Sequence, residues 1–346
     1  MMSGQQDRPD ADELDLDERR LPASALAAVD PEVYARNAAT PEGFRSGFAC
    51  FVGRPNAGKS TLTNALVGSK IAITSSKPQT TRHAIRGIVD RPDAQLVLID
   101  TPGLHKPRTL LGERLNDLVH ETWASVDVIG VCLPADQRIG PGDSYLISQI
   151  AELTRRPKLV ALATKTDLVS PDRLRQHLLS IQEHGAKLGI EWEHIVPVSA
   201  VSGEQVDEVS DVLVSLLPEG PRYYPEGEIT DEPTETLVAE LIREAALEGV
   251  REELPHSIVV TIEEMGLREG RAEDKPLLDI YASLIVERDS QKGIMIGHKG
   301  SRLREVGTTA RLQIAALLGT PVHLDLRVKV FKEWQRDAKY LNRLGF

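Results

Sequence analysis

Cysteine is nearly absent: the 346-residue chain has two, Cys50 and Cys132, each inside an apolar run (FACFV and VIGVCL). So sparse a supply excludes a disulfide framework and a cysteine metal cluster, and reduced core thiols are the expectation. No stretch approaches the roughly 18 consecutive apolar residues that a membrane span requires. The opening MMSGQQDRPDADELDLDE lacks the basic flank and apolar stretch of a secretory signal, which points to the cytosol. No aromatic residue precedes Tyr34, and Asp, Glu, Ala and Pro are mixed there without a period. Burial could not offset the entropy of ordering such a segment, so residues 1–45 are expected to form a disordered acidic tail. No internal repeat is found.

A basic surplus is also missing, since the net charge is −11. Spread evenly, that would argue against a nucleic-acid partner. The distribution is uneven: residues 1–32 carry nine acids against three arginines, whereas residues 289–346 carry eleven bases against five acids. The carboxyl end is thus the place where a polyanion could bind.

What is present suits two modest domains, because single cores stop growing at roughly 250 to 300 residues. With 41% hydrophobic and 27% charged residues, collagen-like, coiled-coil and wholly disordered classes are excluded. From Gly47 short apolar runs (GFACFV, LVLID, VIGVCL, LVALA, HIVPV) alternate with longer helical patterns. Such alternation predicts an α/β domain over 46–217 with a doubly wound, mostly parallel sheet. Residues 218–235, rich in proline and glycine, read as a linker. Residues 236–346 read as a smaller α+β domain. In it SIVVTIEEM and LLDIYASLIVERD are strand-like, 301–318 is an amphipathic helix, and PVHLDLRVKV is an alternating strand.

GRPNAGKS, comprising Gly53, Arg54, Pro55, Asn56, Ala57, Gly58, Lys59 and Ser60, fits the phosphate loop G-x-x-x-x-G-K-[ST] between a strand and a helix that continues through Thr61. Its glycines let backbone amides surround phosphates, Lys59 reaches the β and γ phosphates, and the Ser60 hydroxyl ligates Mg²⁺. Downstream, Asp100, Thr101, Pro102 and Gly103 form DTPG, which sets a carboxylate beside the metal and the Gly103 amide near a γ phosphate. Thr164, Lys165, Thr166 and Asp167 end one strand, and Ser199 with Ala200 ends the next. A carboxylate accepts from the two neighbouring N–H groups of guanine, and the amide after Ser199 can donate to its O6, so GTP is the expected ligand.

The order of these motifs resembles the translation-factor-related GTPases. The chain departs from them at Thr164, where Asn is usual, and looser packing between the base loop and the phosphate loop is the expected effect. The polar run SSKPQTTRHAIRG, read as a nucleotide-responsive loop, needs a hydroxyl for the Mg²⁺ shell. Thr80 and Thr81 both qualify, and register with related P-x-x-T-R segments favours Thr81. The expected metal set is then Ser60, Thr81 and Asp100, with Lys59, Thr81 and Gly103 acting on the phosphate. Leu104 stands where many GTPases place a water-orienting Gln. Relatives with an apolar residue there and an Asn in the phosphate loop, here Asn56, include potassium-activated members, which makes K⁺ a candidate substitute.

In the second domain IMIGHKGSRL holds a G-x-x-G, Gly297, His298, Lys299 and Gly300, between two helices in the basic segment. It resembles the second type of KH domain, whose loop clamps the backbone of single-stranded nucleotides. Ile296 and Arg302 join the loop as candidate RNA-binding residues. Over residues 46–346 the combination is similar to the Era family of bacterial GTPases. That resemblance implies GTP hydrolysis to GDP, binding to the 3′ end of 16S ribosomal RNA, assistance to maturation of the small (30S) ribosomal subunit and, in some members, peripheral association with the membrane. The rival readings are a metabolic phosphotransferase, in which TKTD and SAVSG would be coincidental, and a non-catalytic interaction protein stabilised by GTP.

Overall fold

The computed structural model describes residues 40–74, 81–82, 84–104, 107–154, 157–250, 257–272 and 274–346. Thr80 and residues 1–39 of the expected 1–45 tail lie outside the described residues. The first half is a six-stranded sheet of β1 (Arg45–Val52), β2 (Ile85–Asp90), β3 (Ala94–Asp100), β4 (Val128–Cys132), β5 (Lys158–Thr164) and β6 (His194–Val198), in the order β2-β3-β1-β4-β5-β6. All neighbours are parallel except β2 with β3. Parallel strands need crossovers, which here are helical: α1 (Lys59–Val67), α2 (Leu110–Ser125), α3 (Pro141–Ala151), α4 (Pro171–Lys187) and α5 (Val206–Leu216).

Helices on both faces explain why the inner strands are continuous apolar runs. Along β1, Ala49 and Phe51 point to a core with Leu62, Val209 and Leu213, while Cys50 and Val52 point to another with Val119, Trp123 and Ile147. The two cysteines therefore lie in different cores, both buried and unpaired as disulfides. Burial in apolar surroundings pushes both thiols up, Cys132 to about 12. The four motif loops follow β1, β3, β5 and β6, so they gather at the carboxyl edge of the sheet, where open α/β folds bind ligands.

Three boundaries differ from the sequence reading. The polar run over 75–87 does not remain a loop to its end, because β2 begins at Ile85. Ile85 and Ile88 are buried, and the outer edge of β2 is occupied by the segment read as a linker. Ile88 N donates to Ile229 O at 2.9 Å and Thr230 Oγ1 to Arg86 O at 2.6 Å. Upstream, Arg222 pairs with Asp90, the Tyr223 ring stacks on Phe48 at 5.2 Å, and the amides of Tyr223 and Tyr224 both donate to Gln95 Oε1 at 2.8 Å. Residues 222–230 thus form a bound strap, held by polar contacts that a search for apolar periodicity cannot register. The tail boundary also moves: Phe44 is buried beneath the Arg222 guanidinium at 5.1 Å, and β1 starts at Arg45.

The second half runs α6 (Thr234–Leu247), β7 (Val259–Leu267), β8 (Leu278–Val286), α7 (Asp289–Ile296), α8 (Ser301–Leu318), β9 (Val322–Val330) and a short α9 (Ala338–Arg343). β8 is central, antiparallel to β7 and parallel to β9. Val238, Leu241, Ile242, Leu284, Val306 and Ile314 fill the core between sheet and helices. The sheet's other face is not left to solvent. Val259 and Ile285 instead share a small cluster with Leu111 and Leu115 of α2 and with Trp334, which joins the two halves.

Packing decides the glycine at position 185 of α4. A Cβ there would stand 2.3 Å from Trp192 Nε1 and 3.0 Å from its Cε2. Alanine favours a helix over glycine by roughly 1 kcal/mol, but overpacking costs about 1–3 kcal/mol. The clash should win, so Gly185→Ala is expected to lower the urea midpoint of unfolding.

Candidate functional site

The loop after β1 reverses the chain tightly. A Cβ on Gly53 would meet Cys132 O at 2.8 Å and Ala57 Cβ at 3.0 Å, so only glycine fits. Asn56 and Gly58 both have positive φ (62° and 94°), the curl that turns successive amides toward a common centre at the start of α1. Lys59 Nζ donates to Gly53 O at 3.1 Å and Arg54 O at 3.3 Å, spanning that centre. Desolvation lowers its pKa, against the opposing pull of Asp100. The Arg54 side chain turns aside: its Nε pairs at 2.7 Å with Asp143, which also accepts from Gly140 N at the start of α3. Arg54 therefore offers backbone to the loop and fixes the loop to α3. Pro55 is exposed, Ala57 is buried, and Thr61 sits in the first turn of α1.

The hydroxyls of Ser60 and Thr81 both donate to Asp100 Oδ2, at 2.8 and 3.0 Å, and lie 3.3 Å from each other. Asp100 is fully buried, and its Oδ1 has no partner among the described residues. Burial raises its pKa, while Ser60, Lys59 and Thr81 oppose the rise. A buried carboxylate oxygen beside two hydroxyls is a donor set of hard oxygens, which fits Mg²⁺ and not a soft or imidazole-binding metal. The DTPG turn passes next to Lys59: a Cβ on Gly103 would be 3.9 Å from Nζ. Thr101 and Pro102, within this turn, are buried. Leu104 packs into the core that holds Ile99 and Trp123, so it presents nothing that could orient a water.

At the base loop, Ser199 Oγ donates to Asp167 Oδ1 at 2.6 Å and accepts from Ser202 N at 3.2 Å, which fixes the carboxylate beside Ala200. Lys165 adopts a left-handed turn (φ 59°) and Thr166 is buried. The junction with the phosphate loop is tighter than the sequence reading expected. The Thr164 hydroxyl donates to Ala57 O at 2.7 Å in a buried setting, so a hydroxyl ties the base loop to the phosphate loop where the related GTPases have Asn.

The second candidate site lies on the other half. Gly297 has φ 71°, and a Cβ there would strike Arg302 Cβ at 2.7 Å and its backbone N at 2.9 Å. His298 and Lys299 are exposed at the tip, and Gly300 turns the chain into α8. Arg302, a candidate RNA-binding residue, is engaged within the protein instead. Its guanidinium pairs with Glu305 at 2.8 Å and caps the last carbonyls of α6, including Glu248 O, where a cation opposes the helix dipole. Ile296 is likewise packed against the core. Beside the loop runs a cleft of about 530 Å³ lined by Leu303, Arg304, Thr308 and Arg311 of α8 and by Leu324 and Leu326 of β9. Arg304 and Arg311 were missed; seven residues apart, they share a helix face, and that spacing was the available signal.

Fold and site together define a P-loop GTPase of the translation-factor-related class joined to a KH domain. Residues 48–165 match the family model of 50S ribosome-binding GTPases, and residues 253–335 that of the KH domain. The chain is 67% identical over 302 residues to GTPase Era of a Nocardioides species, covering 87% of this chain and 96% of the relative. It is 66% identical to GTPase Era of Streptomyces coelicolor, with 87% and 95% covered. A crystal structure of an Aquifex aeolicus Era variant bound to GDP and AlF4⁻ superposes with a TM-score of 0.81 at 35% identity, over 87% of this chain and 99% of that one. Era solved with MgGDPNP and nucleotides 1506–1542 of 16S ribosomal RNA matches equally, at 36% identity. The chain belongs to the GTPase Era family, and it is a GTP-hydrolysing enzyme.

The Thr164 tie can be isolated with a near-isosteric change. Thr164→Val leaves Ala57 O buried without its donor, a loss of about 1–3 kcal/mol, which if it falls on the nucleotide-bound form corresponds to roughly 5- to 150-fold in affinity. Titration with a fluorescent GDP should show this weakening, and Thr164→Ser should restore the affinity.

Proposed function

We propose that the chain binds Mg²⁺ and GTP at the carboxyl edge of its first sheet, hydrolyses the γ phosphate, and uses the KH half to hold the single-stranded 3′ end of 16S ribosomal RNA during maturation of the small ribosomal subunit in the cytoplasm. The observation that carries this reading is the match to an Era solved with MgGDPNP and a 16S rRNA fragment, which covers both candidate sites of this chain. In this reading the amides of 53–61 and Lys59 hold the phosphates, and Asp167 with the Ala200 amide reads guanine. Ser60, Thr81 and Asp100 hold the metal, which when bound neutralises charge on the β and γ oxygens. Thr81 and the Gly103 amide sense the γ phosphate, and they release when it leaves. RNA lies along the 530 Å³ cleft, its backbone clamped by 297–300 and its phosphates drawn by Lys299, Arg304 and Arg311.

Replacing His298 and Lys299 by Asp sets two acids where phosphates must approach. RNA affinity, measured by fluorescence anisotropy on a single-stranded 16S fragment, should fall sharply while GTP affinity is unchanged. Wild-type affinity should decline with salt at a log–log slope of roughly −0.7 per phosphate contact. Undiminished RNA binding by a folded variant would remove the KH half from the reading.

Because Leu104 is packed away and cannot orient the attacking water, acceleration of hydrolysis needs another group. We assign that part to a monovalent cation held near Asn56. Turnover should rise when Na⁺ is replaced by K⁺ at constant ionic strength, and Asn56→Ala should erase the difference; equal rates in both salts would reject the assignment.

A further inference from the structure

Thr81, whose hydroxyl stands on Asp100, is followed directly by a side chain that leaves the GTPase half. Arg82 is 2% exposed. Its Nη1 donates to the carbonyl of Ile258 at 2.6 Å, and its guanidinium lies over the Trp334 ring, 5.8 Å from the centroid. Both partners belong to the second half, and Trp334 is itself fixed there by an Nε1 bond to Ser257 O at 3.2 Å and by stacking on Phe346. Burial and the nearby Arg243 oppose the charge, while Glu240 and Glu287 support it. Well-packed apolar residues would seal the same interface without that desolvation cost. What a guanidinium adds is direction: a planar fork bound to one carbonyl and one ring fixes where residue 82 sits.

An independent set of contacts anchors the chain ahead of residue 75. Ile73 is buried in the apolar core of the KH half. Thr74 donates from N and Oγ1 to Glu244 Oε1 of α6, at 2.8 and 3.1 Å, and Lys70 pairs with the same carboxylate. Gln313 of α8, the helix that lines the RNA cleft, also donates to Glu244 at 3.2 Å. Thr74 before 75–80 and Arg82 just after Thr81 are therefore both bound to the KH half, while Thr81 between them is bound to Ser60 and Asp100 of its own domain.

We propose that Arg82 is a positioning residue for GTP hydrolysis: the KH half, by gripping Arg82 and Thr74, holds Thr81 at the metal cluster, so the second domain forms part of the scaffold of the first domain's active site. This rests on the reading of Ser60, Thr81 and Asp100 as the Mg²⁺ set. Occupancy of the γ-phosphate site and docking of the KH half must then favour each other equally, as linkage requires.

The test uses the full chain with Arg82→Gln and Arg82→Lys. For Arg82→Gln, turnover and affinity for a non-hydrolysable GTP analogue should drop roughly tenfold, the loss of a charge-assisted bond at the interface. The Mg²⁺ concentration for half-maximal turnover should rise. Affinity for GDP, which has no γ phosphate for Thr81 to complete, should stay the same, and Arg82→Lys should recover part of the loss. A purely structural Arg82 would lower the melting temperature and leave both the GTP-to-GDP preference and the Mg²⁺ dependence unmoved, which would overturn the proposal. Should Arg82→Gln not fold, Glu244→Gln keeps the side-chain shape at the other anchor and should shift the same two quantities in the same direction; no shift there would also overturn it. A wild-type chain that binds no GTP would defeat the functional reading instead, so the two failures are distinguishable.

Discussion

The carboxylate of Asp100 is the constraint on which the nucleotide site depends. It lies at the end of a strand buried on both faces, with one oxygen taken by two hydroxyls and the other without a partner among the described residues. A charge so placed is costly unless something compensates it, and Lys59 is the cation beside it. Three stretches of chain converge there: the phosphate loop through Ser60, the post-loop residue Thr81, and β3. The sheet carries that convergence because β1 and β3 are adjacent and parallel, which brings the ends of both to one edge.

From this centre the organisation spreads outward by short polar links. Thr164 ties the base loop to the phosphate loop at Ala57, Asp143 ties the phosphate loop to α3 through Arg54, and Arg82, next to Thr81, ties that stretch to the second domain. Each link uses a side chain from one element and, in two of the three cases, a backbone carbonyl of another. Links to carbonyls constrain position without demanding a particular residue opposite, which is why one partner of each is invisible to motif reading.

Patterns made by consecutive residues were legible. GRPNAGKS, DTPG, TKTD and GHKG each encode their geometry within a few positions, and the apolar runs of β1, β3, β4, β5 and β6 stood out because both faces are covered. What could not be read depended on partners distant in sequence. Arg302 is next to the G-x-x-G and basic, yet its guanidinium closes the end of α6 more than fifty residues earlier. Thr164 reads as a loss against the usual amide until Ala57 O is placed 2.7 Å away. The strap over 222–230 has the composition of a spacer, and only the exposed donors and acceptors of β2 reveal what it pairs with.

That strap has a consequence for how the chain must be made. β2 ends the sheet, and an uncovered edge strand is a template for pairing with other chains. Its cover at Ile229 lies about 140 residues downstream in sequence, beyond every other strand of the first sheet. During synthesis the six strands can all have emerged while this edge still lacks its cover. The first domain is thus sealed by the segment between the two domains, and a truncation placed at the apparent domain boundary near residue 217 would leave a sheet with a sticky side.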